Sequence, residues 1–370
     1  MKTIVTIASI RPDIPRLQAL IKRLDESQQY RHYFITTGQH YDYNRFDIFL
    51  EEFRLRKPDI RLHSGSDGRG SWDQSYECGR QLVNALRSLP HKPDIVLYLG
   101  DSNSVTSSVA VRRAGFPIGH IEAFMRAYNS PQEALVDSVS LPEELNRRII
   151  TQVSDIFFTY HEDYLEHAIR EGIPQDRVFV ISNTINEAVQ HISTSIRHSE
   201  EKIIGVDIHR HENIENTERL RFIIDAIKKY KEIYKLDVQM LDFGRTTLAI
   251  NKHYIDKSGI GLIPLMGYND FLNFQAKCKF LISDSGTAGE EIANFSNPIP
   301  CICPRTVTER PRAVTGGGTF MLQANQESFN ESLEWLNNWN LDSIDTSWVG
   351  TGKASEQIYE ILQETDGKFW

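Results

Sequence analysis

Cysteine is scarce, and its spacing carries no chemistry. The chain has four, Cys78, Cys278, Cys301 and Cys303. None forms a C-x-x-C pair, which removes thioredoxin-like redox chemistry and the common zinc ribbons. Cys301 and Cys303 alternate within an apolar run, so they are predicted to share one face of a buried strand. All four read as small core residues in a reducing compartment. Long hydrophobic runs are also missing. No stretch approaches the ~18 apolar residues of a membrane span. The opening "MKTIVTIASIRPD" is apolar for too short a length, with a charge directly after, to be a secretory signal. These features predict a cytoplasmic protein with no membrane partner. Basic charge is not in excess either, since the formal net charge is −9. Nucleic acid is therefore not expected as a main partner, because phosphate-backbone binding needs a concentrated basic face. A small phosphorylated ligand needs only a few local donors and stays open. No G-x-G-x-x-G follows the first apolar run, so a nicotinamide dinucleotide is not expected.

What is present is an ordinary globular composition, with 40% hydrophobic and 25% charged residues. A chain of 370 residues suggests two domains of usual size. Short apolar runs alternate with helical patterns. "KTIVTIAS", "HYFITTG", "DIVLYLG", "PIGHIEA" and "DIFFTY" read as buried strands. "IPRLQALIKRLDE", "QLVNALRSL", "SVTSSVAVRRAG" and "LNRRIITQVS" read as the helices between them. A second series begins near Lys202, with strands "KIIGVDIH", "DVQMLDF", "GIGLIPL", "KFLISDS" and "PIPCICP". The polar segment "NTINEAVQHISTSIRHSEE" is read as the connection. Continuous apolar strands alternating with helices imply parallel sheets covered on both faces. The expected fold is α/β, with two Rossmann-like doubly wound domains facing a central cleft. The N-terminal domain is placed at 1–185 and the C-terminal domain at 186–353. The helix in 354–370 is expected to return to the first.

In such sheets ligands bind beyond the carboxyl ends of the strands. Arg11-Pro12-Asp13, Gly38-Gln39-His40, Gly100-Asp101 and Glu122 occupy those positions in the first half. His209-Arg210-His211-Glu212, Asp284-Ser285-Gly286 and Glu309-Arg310 occupy them in the second. Each has a structural reading on its own. Asp101 and Asp284 suit helix N-caps, worth about 1 kcal/mol each. Pro142-Glu143-Glu144 suits a helix start, with Glu143 and Arg147 an i, i+4 pair. His209 and His211 would share a face if they lay on a strand, but no third ligand follows at a typical distance, so no metal is assigned. Together the set points to chemistry. Ser285-Gly286 opens a helix directly after a strand, which offers backbone N–H groups to a phosphate. Arg11 and Arg310 suit a diphosphate, and Glu290-Glu291 suit a ribose diol. Asp101, Glu122 and Glu143 suit proton transfer on a sugar.

The ordered set "IRPD", "TGQHYD", "LGDSNS", "HIEAFMR", "PEELNRR", "HRHEN", "SDSGTAGEE" and "TERPRAV" resembles the non-hydrolysing UDP-N-acetylglucosamine 2-epimerase family. The match runs in order over nearly the whole chain. The resemblance implies a two-domain fold like that of GT-B glycosyltransferases, with no metal and no nicotinamide. It implies inversion at C2 of a UDP-2-acetamido sugar for surface polysaccharide synthesis, by anti elimination of UDP and re-addition across a bound glycal. It places Asp101, Glu122, Glu143, Arg147 and His209 in catalysis. Arg11, Arg16, Ser285, Gly286, Glu291 and Arg310 fall on the UDP contacts, and Phe271 falls on the uracil. Gln39 and His40 match a loop that binds a second, activating UDP-sugar in some bacterial members. A homodimer is implied as well. The chain departs from the pattern at Phe124-Met125, where the family usually has Gly-Leu. It also carries a longer segment, "AYNSPQEALVDSVSL", ahead of "PEE". It has "ASIRPD" for "GTRPE", and Asn186 where Asp is common. A hydrolysing epimerase, a GT-B transferase of another class and a nucleotide-sugar sensor without turnover stay open at this point.

Overall fold

The computed structural model describes residues 1–39, 46–65, 71–127, 142–192 and 202–370. They fall into two units, residues 1–188 with 350–370, and residues 189–349.

The first unit holds a seven-stranded sheet. Its strands are β1 (Lys2–Ala8), β2 (Tyr30–Thr36), β3 (Ile60–Arg61), β4 (Ile95–Leu99), β5 (Ile118–Ile121), β6 (Ile156–Thr159) and β7 (Val178–Val180). They lie in the order β3-β2-β1-β4-β5-β6-β7, every pair parallel. β4 and β5 are buried along their whole length, as the unbroken apolar runs predict. Val5, Ile7, Ile35, Val96, Tyr98 and Ile118 pack with Leu82, Leu86 and Val111 from the covering helices. The helix Ala354–Thr365 belongs to this unit. Its Tyr359 hydroxyl bonds Ser27 at 2.8 Å, and Ser355 donates to Glu187 at 2.6 Å.

The second unit repeats the plan with six strands. They are β8 (Ile203–Asp207), β9 (Val238–Leu241), β10 (Ile260–Ile263), β11 (Cys278–Ser283), β12 (Cys301–Cys303) and β13 (Thr319–Met321). The order is β10-β9-β8-β11-β12-β13, again parallel throughout. Cys301 and Cys303 are both buried, and the four cysteines are free.

In each sheet the chain leaves the first strand in one direction and later resumes on its other side. That switch falls between β1 and β4 in the first unit and between β8 and β11 in the second. The crevice beyond two such strands is where open α/β sheets take ligands. Two expectations need correction. The segment read as a connection contains a helix, Thr184–Ile192, whose apolar Ile185, Ala188 and Val189 are buried. The short strands β3, β7 and β13 were not anticipated. No helix of the described residues is long and apolar enough to cross a membrane.

Candidate active site

In the first unit, β1 delivers the chain to a tight turn closed by Asp13. The Asp13 carboxylate accepts from the backbone N–H of Ser9 at 2.6 Å and of Ile10 at 3.0 Å. Burial, with added repulsion from Asp101 and Glu122, pushes its pKa up to about 7. One turn on, Arg16 is buried and pairs with Glu122 at 3.2 Å, while donating to Asn183 at 3.2 Å. Glu122 follows β5 with φ +68°, a left-handed conformation rare for a residue other than glycine. The Tyr160 hydroxyl, beyond β6, donates to the same carboxylate at 3.4 Å. A buried, strained and doubly held carboxylate at a strand end is a marker of function.

Asp101 follows β4. It receives the Arg147 guanidinium, which is almost fully buried in the helix Pro142–Val153. Asn146 of that helix donates to the Asp101 carbonyl at 2.9 Å. The helix is therefore pinned to the end of β4 by two consecutive residues. The expected pairing within it shifts by one position. Glu144 is fully buried and pairs with Arg147 at 3.4 Å and Arg148 at 2.9 Å, and it accepts from the Ala127 N–H at 3.0 Å. Adjacent helical residues point about 100° apart. Glu144 thus takes the structural ion pairs, and Glu143 stands beside it, half-buried. Arg11 lies over the Phe49 ring at 5.0 Å, and the Gln39 amide oxygen accepts from Ser104 at 3.0 Å. His40 and most of the longer segment ahead of "PEE" lie outside the described residues.

In the second unit, His209 does not lie on a strand, since β8 ends at Asp207. The shared-face metal reading of His209 and His211 fails for that reason. His211 instead pairs with Glu215 at 2.7 Å. The gathered donors are Asp207, His209 and Asp284, within 4.8 Å of one another. Both Asp284 oxygens accept backbone N–H groups, from His209 at 3.0 Å and Arg210 at 3.0 Å. Ser285 precedes the helix Gly286–Ala293. A Cβ at Gly286 would lie 2.4 Å from the Arg310 guanidinium, so any larger residue would have to displace that side chain. Arg310 is buried and pairs with Glu290 at 3.0 Å and with Glu309, bracing this turn. Glu291 is buried and accepts from Gln275 at 2.8 Å. Phe271 is half-buried on the helix Tyr268–Lys277.

The sequence pattern of the family described as UDP-N-acetylglucosamine 2-epimerase matches residues 22–363. The UDP-N-acetylglucosamine 2-epimerase of Methanocaldococcus jannaschii is 30% identical, over 98% of this chain and 99% of its own. The chain belongs to the UDP-N-acetylglucosamine 2-epimerase family. Within the family, the UDP-2,3-diacetamido-2,3-dideoxy-D-glucuronate 2-epimerase of Pseudomonas aeruginosa is 27% identical, over 97% of this chain and 99% of its own. The crystal structure of the M. jannaschii epimerase in complex with UDP-GlcNAc and UDP matches the fold with a TM-score of 0.88. The identity is 27%, covering 98% of this chain and 100% of that one. Both units of this epimerase-family chain thus carry polar sets at their switch points. Reading from the sequence missed Tyr160 and Asp207, and it marked Asp13 and Glu144 by position without assigning either to the site. Asp13 was visible within "IRPD", and Asp207 sits two residues before the chosen His209. Tyr160 carried no signal of its own.

Proposed function

We propose that the chain is a UDP-sugar 2-epimerase that inverts C2 of UDP-GlcNAc or a closely related UDP-2-acetamido sugar for surface polysaccharide synthesis. A carboxylate removes the C2 proton, and the C1–O bond to UDP breaks with its electron pair leaving on the diphosphate. C1 and C2 are then doubly bonded in a 2-acetamidoglucal. Return of a proton to the opposite face of C2 and re-addition of the UDP oxygen at C1 give the epimer. The reaction consumes no oxidant and no water.

The observation that carries this reading is the carboxylate set of the first unit. Glu122, just after β5, is held by Arg16 and Tyr160, and Asp101, just after β4 at the switch point, is held by Arg147. Positioned carboxylates suit proton transfer at carbon, and fixed cations suit the charge that develops on a departing diphosphate. Glu143 joins Asp101 and Glu122 as the acid/base set of the first unit, with Arg147 as its cation, and His209 is the cation assigned from the second unit. In the second unit Ser285 and Gly286 supply N–H groups to a phosphate, with Glu291 at the ribose and Phe271 at the uracil. Arg11, Arg16 and Arg310 complete the cationic field. A cytoplasmic homodimer, and a second UDP-sugar at Gln39 and His40, belong to the same proposal and rest on the family resemblance.

Incubation with UDP-GlcNAc and the diacetamido uronate in D2O, followed by NMR, tests the reading. C2 deuteration with a UDP-linked epimer is expected. Free sugar plus UDP would make the protein a hydrolysing enzyme. Absence of C2 exchange in every UDP-2-acetamido sugar overturns the proposal.

A further inference from the structure

His209 stands two residues beyond the end of β8, and its surroundings define how it works. Its Nδ1 lies 2.8 Å from Asp207 Oδ1. Asp207 is almost fully buried, and its second oxygen accepts from the Ser283 hydroxyl at 3.0 Å. The carboxylate is therefore held by a second partner besides the imidazole. Asp284 is 3.4 Å from the same nitrogen, but it is held by N–H groups of His209 and Arg210 and by Asn213 at 2.8 Å. The Phe243 ring packs on the imidazole with centroids 4.7 Å apart. One ring nitrogen is thus committed, one face is covered, and about a third of the side chain remains exposed. A carboxylate accepts only, so Nδ1 must carry the proton in this bond.

We propose that Asp207 is a positioning residue for the reaction. It fixes the Nδ1–H tautomer and the orientation of His209, and it holds the ring as an imidazolium whose Nε2–H is presented to the departing diphosphate. No proton need leave the ring, because the imidazolium donates a hydrogen bond as charge grows on the phosphate oxygen. The inference rests on the epimerase reading above for the identity of the anion. The electrostatics agree. Burial lowers the imidazole pKa, but Asp207 and Asp284 outweigh burial and the repulsion from Arg210, and the net shift is upward from 6.5. An isolated histidine would be largely neutral at pH 7 and a weaker partner for a diphosphate.

The test is Asp207→Asn in the full-length protein, with Asp207→Ser as a second variant should the amide perturb folding. Histidine 15N NMR without substrate is expected to show His209 titrating above 6.5 in the parent and at least one unit lower in the variant. The amide should also allow the other tautomer. The alkaline limb of kcat/KM should move down by a similar amount, with kcat reduced at least tenfold at pH 8. Asp207→Glu should restore part of the activity. Unchanged titration and tautomer in Asp207→Asn overturn the proposal. A shifted titration with an unmoved kcat/KM profile overturns the role in the reaction while leaving epimerisation intact. A parent protein that exchanges no C2 proton overturns the functional reading instead, and the titration alone then decides whether Asp207 controls the ring.

Discussion

Arg147 is clamped to Asp101 at the end of β4, and the same guanidinium reaches back 3.4 Å to Glu144 in its own helix. Two carboxylates share one buried cation. Asp101 is one-fifth exposed, whereas Glu144 is fully buried. Removing the cation leaves negative charge without its counterion in a poorly solvated place.

Arg147→Met keeps the volume and deletes the charge. Breaking a buried pair by removing one partner costs about 3–5 kcal/mol. Arg148 still faces Glu144 at 2.9 Å, which puts the expected loss near the lower end. Urea unfolding of Arg147→Met should show a drop of about 3 kcal/mol, and adding Glu144→Gln should restore part of it. A stability within 0.5 kcal/mol of the parent would mean that the pair contributes nothing net.

Phe124 makes a second, opposite kind of demand. Its backbone has φ +63°, yet its ring is fully buried 4.9 Å from the Phe157 ring. Burial of the ring offsets the backbone strain. Truncation to alanine should cost about 3–5 kcal/mol, as for other core Phe→Ala changes. Glycine, usually worse than alanine, should here be better by about 1 kcal/mol, because only the glycine relieves the left-handed strain. The order of Phe124→Gly and Phe124→Ala in thermal or urea unfolding checks this directly. Alanine the more stable would show that φ at this position relaxes freely.

The long central strands were legible because burial on both faces writes an unbroken apolar run, as in "DIVLYLG". The missed strands β3, β7 and β13 span two or three residues at sheet edges, too few to write a period. The site residues directly after strands were legible by position. Glu143 and Glu144 could not be told apart, because both fit a helix N-terminus and only packing decides which one turns inward. Tyr160 was invisible as a site residue, since "DIFFTY" reads as one apolar strand and nothing local points its hydroxyl at Glu122.

Asp13 gives a pH prediction. Its pKa stands at about 7 in the fold against 3.8 ordinarily, chiefly through burial. An acid whose folded pKa is raised stabilises the fold fully below its unfolded pKa and loses that contribution as pH climbs. The loss should run from about pH 4 to about pH 7 and amount to a few kcal/mol, at about 1.4 kcal/mol per pKa unit. Asp13→Asn keeps an oxygen for the Ser9 and Ile10 N–H groups and cannot ionise. The variant should therefore be more stable than the parent at pH 8 and equal to it at pH 4. Urea titrations across that range measure the difference, and parallel profiles would refute it.

Glu143 and Glu144 should separate function from structure. Glu144→Gln removes charge from a fully buried side chain that serves Arg147, Arg148 and the Ala127 N–H. It should cost about 2–3 kcal/mol, since hydrogen bonds and pairs of buried charged groups are expensive to weaken. Glu143→Gln alters a half-buried carboxylate at the helix start. Its loss there is worth only a few tenths of a kcal/mol to the helix dipole. If Glu143 transfers the proton, turnover should fall about 100-fold or more, the lower range for a general acid/base. UDP affinity, read by calorimetry, should stay within twofold, because the diphosphate contacts are assigned elsewhere. Unchanged C2 exchange in Glu143→Gln would return this residue to a helix start and leave Asp101 and Glu122 as the acid/base pair.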